Sequence, residues 1–193
     1  MSTAEKYEIV SEETYLALEQ AGTERHELVG GVMYAMAGET TDHNEIVQRL
    51  LVRILERLRG GPCRAFVSAV KLRLDVASTF YYPDLMVTCD PRDTDKRFIR
   101  FPKLLIEVLS PGTEAVDRRE KLFAYLQVSS LEEYVLVSSF SREVVIFRQA
   151  EGWRPVRLPA GAGELELTSL GVRMQLEEIF GGLIPAEPPI THR

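Results

Sequence analysis

An acidic residue interrupts the most apolar strand that the sequence predicts. Glu107 lies in the middle of the segment KLLIEVL at residues 103–109, which has the composition of a buried strand. An unpaired carboxylate in such a place is costly, because the charge loses its hydration without gaining a partner. Glu107 must therefore be paired, neutral or bound to a metal ion.

A second acid begins another apolar strand. Asp84 follows Pro83 in the segment YYPDLMV, and proline suits the start of a strand because it cannot donate a hydrogen bond to the ladder. If this strand lies beside that of Glu107, the two carboxylates can converge within reach of one cation. Such hard oxygen ligands select Mg²⁺ or Mn²⁺, and the metal can activate water and neutralise charge that develops on a phosphate.

A helix is predicted after the Glu107 strand, and three of its polar residues share one face. Asp117, Lys121 and Tyr125 are four residues apart, which places them on the same side with slight drift. Lys121 would then reach back over the acids, where an ammonium can hold a nucleophilic water or stabilise a pentavalent phosphate. The alternative is an intrahelical ion pair between Asp117 and Lys121 on a solvated surface, which contributes little to stability.

The other elements are predicted from turn residues and hydrophobic periodicity. Gly30–Gly31 between two apolar runs predicts a hairpin whose first strand carries Glu27. The clearest helix spans 40–59, where apolar residues recur at i, i+3 and i+4. Residues 90–103 are predicted as a polar, basic loop. Further helices are expected at 11–20, from 113 to about 127, and near 176–180, and strands at 64–75, 82–88, 103–109, 132–138, 142–148 and 153–158.

Length and composition favour one globular domain. The chain has 193 residues, of which 45% are apolar and 27% charged, so residues 1–193 are expected to form a single α/β (α+β) domain. Residues 1–40 would supply an N-terminal helix and hairpin, and residues 181–193 a frayed tail. Apolar runs are too short to predict a membrane-spanning helix.

Cysteine usage favours a reduced, cytoplasmic location. Cys63 and Cys89 are too few for a disulfide scaffold or a multi-cysteine zinc site, and they are interpreted as small core residues. The first residues, MSTAEKYEIV, lack the basic and then apolar order of a secretory signal.

The net charge of −6 is unevenly spread along the chain. Residues 45–103 carry a net charge of +5, whereas residues 1–44 and 104–193 carry −7 and −4. The acidic total excludes a constitutively basic nucleic-acid binder, but the basic middle permits a local surface that faces phosphates. Ordinary solvated charges would give the same pattern. The candidates for nucleic-acid contact are Arg49, Arg53, Arg97 and Arg100.

Taken together, these segments resemble a known family. The run YYPDLMV followed by PKLLIEVLSPGTEAVDRREKLFAYLQVSSLEEYVLV, and the upstream RHELVGGVMYAMAGETTDHNEIVQRL, resemble the bacterial Uma-two endonucleases of the PD-(D/E)xK nuclease superfamily. The likeness covers roughly residues 5–180. Its most specific part is the order PD, then EVLSP, then D-x-x-x-K-x-x-x-Y.

The resemblance implies a restriction-endonuclease-like core, in which a central mixed β-sheet is flanked by helices and the acids lie at one end. Asp84 would take the place of the superfamily's PD aspartate, and Glu107 that of its (D/E). The superfamily's lysine would lie two residues after Glu107, but that position is Leu109. The matching lysine is Lys121 on the following helix, so the identity of the catalytic base depends on this move.

Three other residues become candidates for the site. Glu27 matches a family position and would be a third metal ligand or an acid just outside the ligands; its alternative is a pair with Arg25 or a strand neighbour. His43 also matches and would contact phosphate or help to place water; its alternative is a capping or solvated residue. Tyr125 is a further candidate, with half-buried packing as its alternative.

These observations lead to two functional hypotheses. The first is a Mg²⁺-dependent hydrolase, with Mn²⁺ as a possible substitute: an endonuclease that cleaves phosphodiester bonds in DNA, with Asp84 and Glu107 as metal ligands and Lys121 as a catalytic residue. A homodimer is expected because cutting both strands usually takes two sites. The second is a binding or assembly module with an inherited, idle site. A glycosidase acid pair is disfavoured, since the sequence supplies no aromatic platform for a sugar.

The facing acids also predict a stability effect. Two carboxylates without metal should repel each other, so divalent metal is expected to raise the melting temperature. On the same argument Glu107→Gln should raise the melting temperature of the metal-free protein, unless Glu107 is a satisfied structural partner.

Overall fold

The computed structural model describes residues 9–36, 38–75, 78–110, 117–160 and 163–183, except for the side chains of residues 117 and 118. The turn expected at 110–113 and the tail expected at 181–193 therefore lie largely outside the described residues. The helices are α1 (Glu12–Ala21), α2 (Thr41–Leu58), α3 (Leu122–Tyr125), which continues a π-helical turn (Asp117–Lys121), and α4 (Leu176–Phe180). The strands are β1 (His26–Val29), β2 (Val32–Ala35), β3 (Arg64–Val67), β4 (Lys71–Leu74), β5 (Thr79–Tyr81), β6 (Leu85–Thr88), β7 (Phe98–Ile99), β8 (Pro102–Leu109), β9 (Glu133–Ser138), β10 (Val144–Arg148), β11 (Val156–Leu158), β12 (Glu164–Leu167) and β13 (Val172–Gln175).

A mixed six-stranded sheet in the order β11-β10-β9-β8-β6-β3 forms the centre of the fold. Its central strands β8 and β9 run parallel, while the other neighbours are antiparallel. Alternate residues of β8 face opposite ways, and both faces are covered: one packs against α2, and Leu105 and Leu109 on the other pack with Tyr125. This double burial explains the apolar run of β8. The pleat turns Glu107 to the side of Leu105 and Leu109.

The second sheet, in the order β2-β1-β5-β4-β7, carries the predicted hairpin. Val29 pairs with Val32, so the loop between β1 and β2 has two residues. Gly30 and Gly31 have φ angles of +58° and +84°, which a two-residue hairpin loop requires and which side chains disfavour. The hairpin is therefore confirmed. No helix among the described residues is both long and apolar enough to cross a membrane.

The segment 64–75 is not the single strand that its alternation predicts. The chain turns at Ser68, where φ is +29° and the N–H donates to the Asp84 carbonyl at 3.2 Å. β3 then pairs with β6 in the central sheet, while β4 pairs with β5 in the second sheet. The alternation is clear only from Val70 onward, and no glycine or proline marks the turn at Ser68, so the sequence pattern does not reveal the break. The predicted loop 90–103 likewise contains β7, which pairs with β4.

The two cysteines pack against the core as expected, but they are joined by a disulfide. Arg64 of β3 pairs with Thr88 of β6. Cys63 and Cys89 therefore extend the same ladder by one position. Their interpretation as separate core residues is wrong, because their proximity depends on a strand register that the sequence does not display.

A buried carboxylate ties the central sheet to the β12–β13 hairpin. Glu133, 1% exposed, accepts hydrogen bonds from Arg148 at 2.9 Å and from the backbone N–H and hydroxyl groups of Thr168 and Ser169. Burial raises the pKa of Glu133, but hydrogen bonds from Ser169, Thr168 and Arg148 outweigh it and hold the pKa below its usual 4.5. The ionised form therefore stabilises the fold above that value, and the contribution is lost as the pH falls through the lower folded-state pKa.

We expect Glu133→Gln to lower the free energy of unfolding by about 2–4 kcal/mol at neutral pH, because Arg148 loses its buried charged partner. Urea denaturation measures the loss, which should shrink as the pH falls below 4.5. The neighbouring Glu132→Gln is the matched control: it removes an exposed ion pair with Lys103 and should cost less than about 1 kcal/mol. Equal losses in the two variants would contradict the structural role of Glu133.

Candidate active site

The two acids that interrupt the apolar strands lie side by side. Leu85 of β6 pairs with Ile106 of β8, so Asp84 and Glu107 are the next residues to face each other across the antiparallel pair. The backbone N–H of Asp84 donates to Glu107 Oε2 at 3.3 Å. Glu107 is 2% exposed, whereas the Asp84 side chain is 13% exposed. Asp84 therefore lies nearer to solvent and Glu107 lies behind it.

The Asp84 carboxylate is held in place by His43 and by a backbone N–H group. Asp84 Oδ2 accepts a hydrogen bond from the N–H of Val108 at 2.6 Å and lies 3.1 Å from His43 Nε2. His43 is in the first turn of α2 and is buried. The capping oxygen of this helix belongs to Thr40, which accepts from the His43 N–H at 3.2 Å. His43 is therefore neither the cap nor a solvated residue.

Glu39 is a site neighbour that sequence reasoning missed. Its Oε2 lies 3.5 Å from His43 Nδ1. Ligand atoms of Glu39, His43 and Asp84 all lie within 4.8 Å of one another, a spacing that a single metal ion can span. The sequence feature that could have identified Glu39 is its position four residues before His43, at the start of a predicted helix.

Lys121 reaches back over the acids, as its position on the helix predicts. Its Nζ lies 3.3 Å from Glu107 Oε1 and 3.0 Å from Glu27 Oε1. The ammonium is buried, so these contacts are made with little competition from water. The surface ion pair weighed for Lys121 is not its environment; the Asp117 side chain lies outside the described part of the chain.

Glu27 joins the same cluster from the second sheet. It lies on β1, and its Oε1 accepts a hydrogen bond from the N–H of Tyr82 at 3.3 Å in addition to the contact with Lys121. Arg25, the partner weighed from the sequence, donates instead to the carbonyl of Ala69. Glu27 therefore belongs to the site and not to a surface pair.

Tyr125 holds Glu107 from the helical side. Its hydroxyl donates to Glu107 Oε1 at 2.8 Å, and its ring is fully buried with edge contacts to Tyr81 and Tyr134. Burial, followed by the charge of Glu107, raises the pKa of Tyr125 well above its usual range. The hydroxyl therefore remains a proton donor at physiological pH. Burial likewise raises the pKa of Tyr81 to about 12.

Among the side chains that the structure describes, carboxylates outnumber cations in this cluster. Glu27, Glu39, Asp84 and Glu107 face one ammonium and one imidazole. The oxygens are hard donors of the type that Mg²⁺ and Mn²⁺ prefer. An additional cation would reduce the repulsion among them.

The arginines proposed for nucleic-acid contact have partners within the chain. Arg49 donates to the carbonyls of Ile179 and Gly181 at 2.9 and 2.7 Å, which ties α2 to the end of α4. The other three form ion pairs with acids on nearby segments. The pairs are Arg53–Glu56, Arg97–Asp95 and Arg100–Asp75.

The structure reverses the stability effect expected of Glu107→Gln. Glu107 accepts from Lys121, Tyr125 and the Asp84 N–H, so it has the partners that the repulsion argument did not assume. Glutamine would lose the charge-assisted bonds and remove one of the two carboxylates that contact Lys121.

We therefore expect Glu107→Gln and Lys121→Met each to destabilise the metal-free protein by about 2–4 kcal/mol. Urea denaturation in EDTA of both variants and the double variant should give a coupling energy of about 1–3 kcal/mol. The exposed pair Lys103–Glu132 is the control cycle, with a coupling below about 1 kcal/mol. Similar couplings in the two cycles would contradict a buried ion pair at Glu107.

Comparisons with known proteins identify the family to which the chain belongs. Residues 12–179 match the family Uma2, described as "Putative restriction endonuclease". The chain is 37% identical over 177 residues to the uncharacterized protein slr1290 of Synechocystis sp. (strain ATCC 27184 / PCC 6803 / Kazusa), covering 90% of this chain and 93% of that one. It is 26% identical over 169 residues to sll1609 of the same organism, also uncharacterized, covering 85% and 96%.

The fold is also that of a solved structure. The crystal structure of "a putative nuclease belonging to DUF820" from Anabaena variabilis ATCC 29413 superposes with a TM-score of 0.71 at 15% identity, over 86% of this chain and 97% of that chain. The mixed central sheet flanked by helices is thus shared. Because the sequence match spans almost the whole described chain, the protein belongs to the Uma2 family of restriction-endonuclease-like proteins.

Proposed function

We propose that the protein is an endonuclease that hydrolyses phosphodiester bonds in DNA with a divalent metal ion. The observation that carries this proposal is the contact between Asp84 and Glu107 at one end of the central sheet, with Lys121 against Glu107. Membership of the Uma2 family supports nuclease chemistry, as does the description of the solved DUF820 protein.

Asp84 and Glu107 are the residues proposed to hold Mg²⁺ or Mn²⁺. Their carboxylates supply hard oxygen donors, and the excess of acids in the cluster suits a cation. Glu27 is proposed as the third acid of the site, because it shares the Lys121 ammonium with Glu107. When bound, the metal lowers the pKa of water and neutralises charge that develops on the phosphate.

The protein's own residues are proposed to position the reacting groups. In hydrolysis the water oxygen bonds to phosphorus while the bond from phosphorus to the leaving oxygen breaks, and that oxygen takes up a proton. Lys121 contributes a compact positive charge near the water and the phosphate, and Asp117, four residues before it in the chain, stays a secondary candidate. His43 orients Asp84, and Tyr125 orients Glu107.

Cleavage should depend on both acids. We expect the wild type to cleave plasmid DNA with Mg²⁺ or Mn²⁺ and not in EDTA, and Asp84→Asn or Glu107→Gln to reduce the rate at least about 100-fold. Asp75→Asn, which removes an exposed acid paired with Arg73 and Arg100, is the control and should retain activity. Cleavage that survives in both site variants would end the proposal.

Metal binding should be visible without any reaction. At about 100 times its Kd, Mn²⁺ should stabilise the native state by about 2.7 kcal/mol, which corresponds to a rise of roughly 5–10 °C in Tm for a chain of this size. Asp84→Asn should lose this rise, whereas Asp75→Asn should keep it. An equal rise in wild type and Asp84→Asn would place the metal elsewhere.

The second candidate is a binding or assembly module whose site is idle. It is favoured by the net charge of −6 and by the internal partners of the four arginines expected to contact DNA. Calorimetry separates the candidates, since a module would take up no Mn²⁺ and would not bind DNA at low salt.

Oligomeric state and location complete the proposal. We propose a homodimer, because cutting both strands of a duplex takes two sites, and light scattering on the purified protein tests it.

We also propose a cytoplasmic protein in which residues 1–193 form one domain. The Cys63–Cys89 disulfide is typical of an oxidising compartment, so a cytoplasmic location predicts that the bond is reduced in cells. An alkylating reagent added at lysis should then trap both thiols, and recovery of the intact disulfide would contradict the cytoplasmic location.

A further inference from the structure

Two cations lie against one aromatic ring, and neither has a salt-bridge partner among the described residues. The Arg25 guanidinium carbon and the Lys71 Nζ lie 5.6 and 5.3 Å from the centre of the Tyr82 ring. Tyr82 precedes Pro83 and Asp84 in the chain, and its N–H donates to Glu27. Arg25 itself lies two residues before Glu27. Arg25 and the residue whose ring both cations contact are therefore each two positions in the chain from a proposed site acid.

Neither cation forms an ion pair within 4.0 Å in the part of the chain that the structure describes. The exposed guanidinium of Arg25 donates to the Ala69 carbonyl at 3.3 Å, which leaves most of its five N–H donors for another ligand. This distinguishes Arg25 and Lys71 from Arg53, Arg97 and Arg100, whose charges are already matched by acids.

The electrostatics around Lys71 favour an anion. Burial lowers the pKa of Lys71, Glu19 opposes that effect, and the charges of Arg25 and Arg97 lower it further. Glu19 is itself engaged with His26 and the Tyr82 hydroxyl. Arg25 and Lys71 are thus two like charges beside one ring, and an anion bound near them would relieve their repulsion.

A cleft runs from Arg25 toward the site. It has a volume of about 530 Å³, and it is lined by Arg25 and by the acids Glu24 and Glu39, but not by Lys71. Glu39 contacts His43, which in turn contacts Asp84. A ligand that enters beside Arg25 therefore approaches the His43–Asp84 side of the carboxylate cluster.

We propose that Arg25 and Lys71 form a phosphate-binding subsite that holds the DNA backbone next to the phosphate being cleaved. The inference rests on the proposed nuclease function and names the surface by which the substrate is held. A polyanion is repelled by four clustered carboxylates, so its approach requires positive charge nearby. The two cations supply that charge where the sequence-predicted arginines do not.

Binding of a fluorescein-labelled DNA duplex, measured by anisotropy at several salt concentrations with Ca²⁺ present, tests the subsite. Removing one phosphate contact should weaken binding about tenfold near 0.1 M salt and reduce the slope of log K against log salt by about 1. We expect these changes in Arg25→Gln and in Lys71→Gln. Arg25→Lys keeps the charge and should keep the slope.

Arg154→Gln is the matched control, because Arg154 is exposed and lies just before the edge strand β11; it should bind as the wild type does. Thermal unfolding of each variant shows whether a loss of binding reflects a loss of folded protein. Because Arg25 is exposed, Arg25→Gln tests the subsite even if substitution of the half-buried Lys71 destabilises the fold. The subsite would be overturned if Arg25→Gln and Lys71→Gln bound DNA with the same affinity and the same salt slope as Arg154→Gln. A wild type that binds no DNA at low salt would instead overturn the proposed function, and the subsite with it.

Discussion

The Lys121 ammonium, held between two carboxylates, makes the acid in the central strand compatible with burial. Glu107 points from β8 into an otherwise apolar and aromatic layer, and it is tolerated because Lys121 and Tyr125 donate to it. Lys121 also contacts Glu27, which lies on the second sheet. One charged group thus links the central sheet, the second sheet and the helical segment after β8. The residues of the candidate site are therefore also the residues that join these layers.

The central part of the site was predictable because it violates a packing rule. An acid in an apolar strand is conspicuous, and a proline followed by an acid marks the start of another strand, so Asp84 and Glu107 could both be singled out from the sequence. That they pair was predicted on the condition that their strands are neighbours, and the register of β6 against β8 meets it. The spacing of four residues predicted that Lys121 and Tyr125 share a face, and both reach Glu107. These predictions succeeded because each depends on local sequence and one strand pairing.

Features that depend on distant register or on competing partners were not predictable. No glycine or proline marks the turn at Ser68, so the sequence pattern does not show that β3 and β4 join different sheets. The Cys63–Cys89 bond needs the register of β3 against β6. The internal partners of Arg49 were not predictable for a similar reason: its position on the polar side of α2 is visible in the sequence, but the carbonyls of Ile179 and Gly181 that it binds lie far along the chain.

The absence of a lysine two residues after Glu107 has a structural explanation. Residues two apart in a strand point to the same face, so a lysine at position 109 would project beside Glu107. Leu109 is instead completely buried and belongs to the apolar cluster that contains Tyr125, where an ammonium would need its own partners. Lys121 brings its charge to Glu107 from the helical segment and gains Glu27 as a second partner. The position of the charge is then set by packing between the helical segment and two sheets, and no longer by the pleat of one strand.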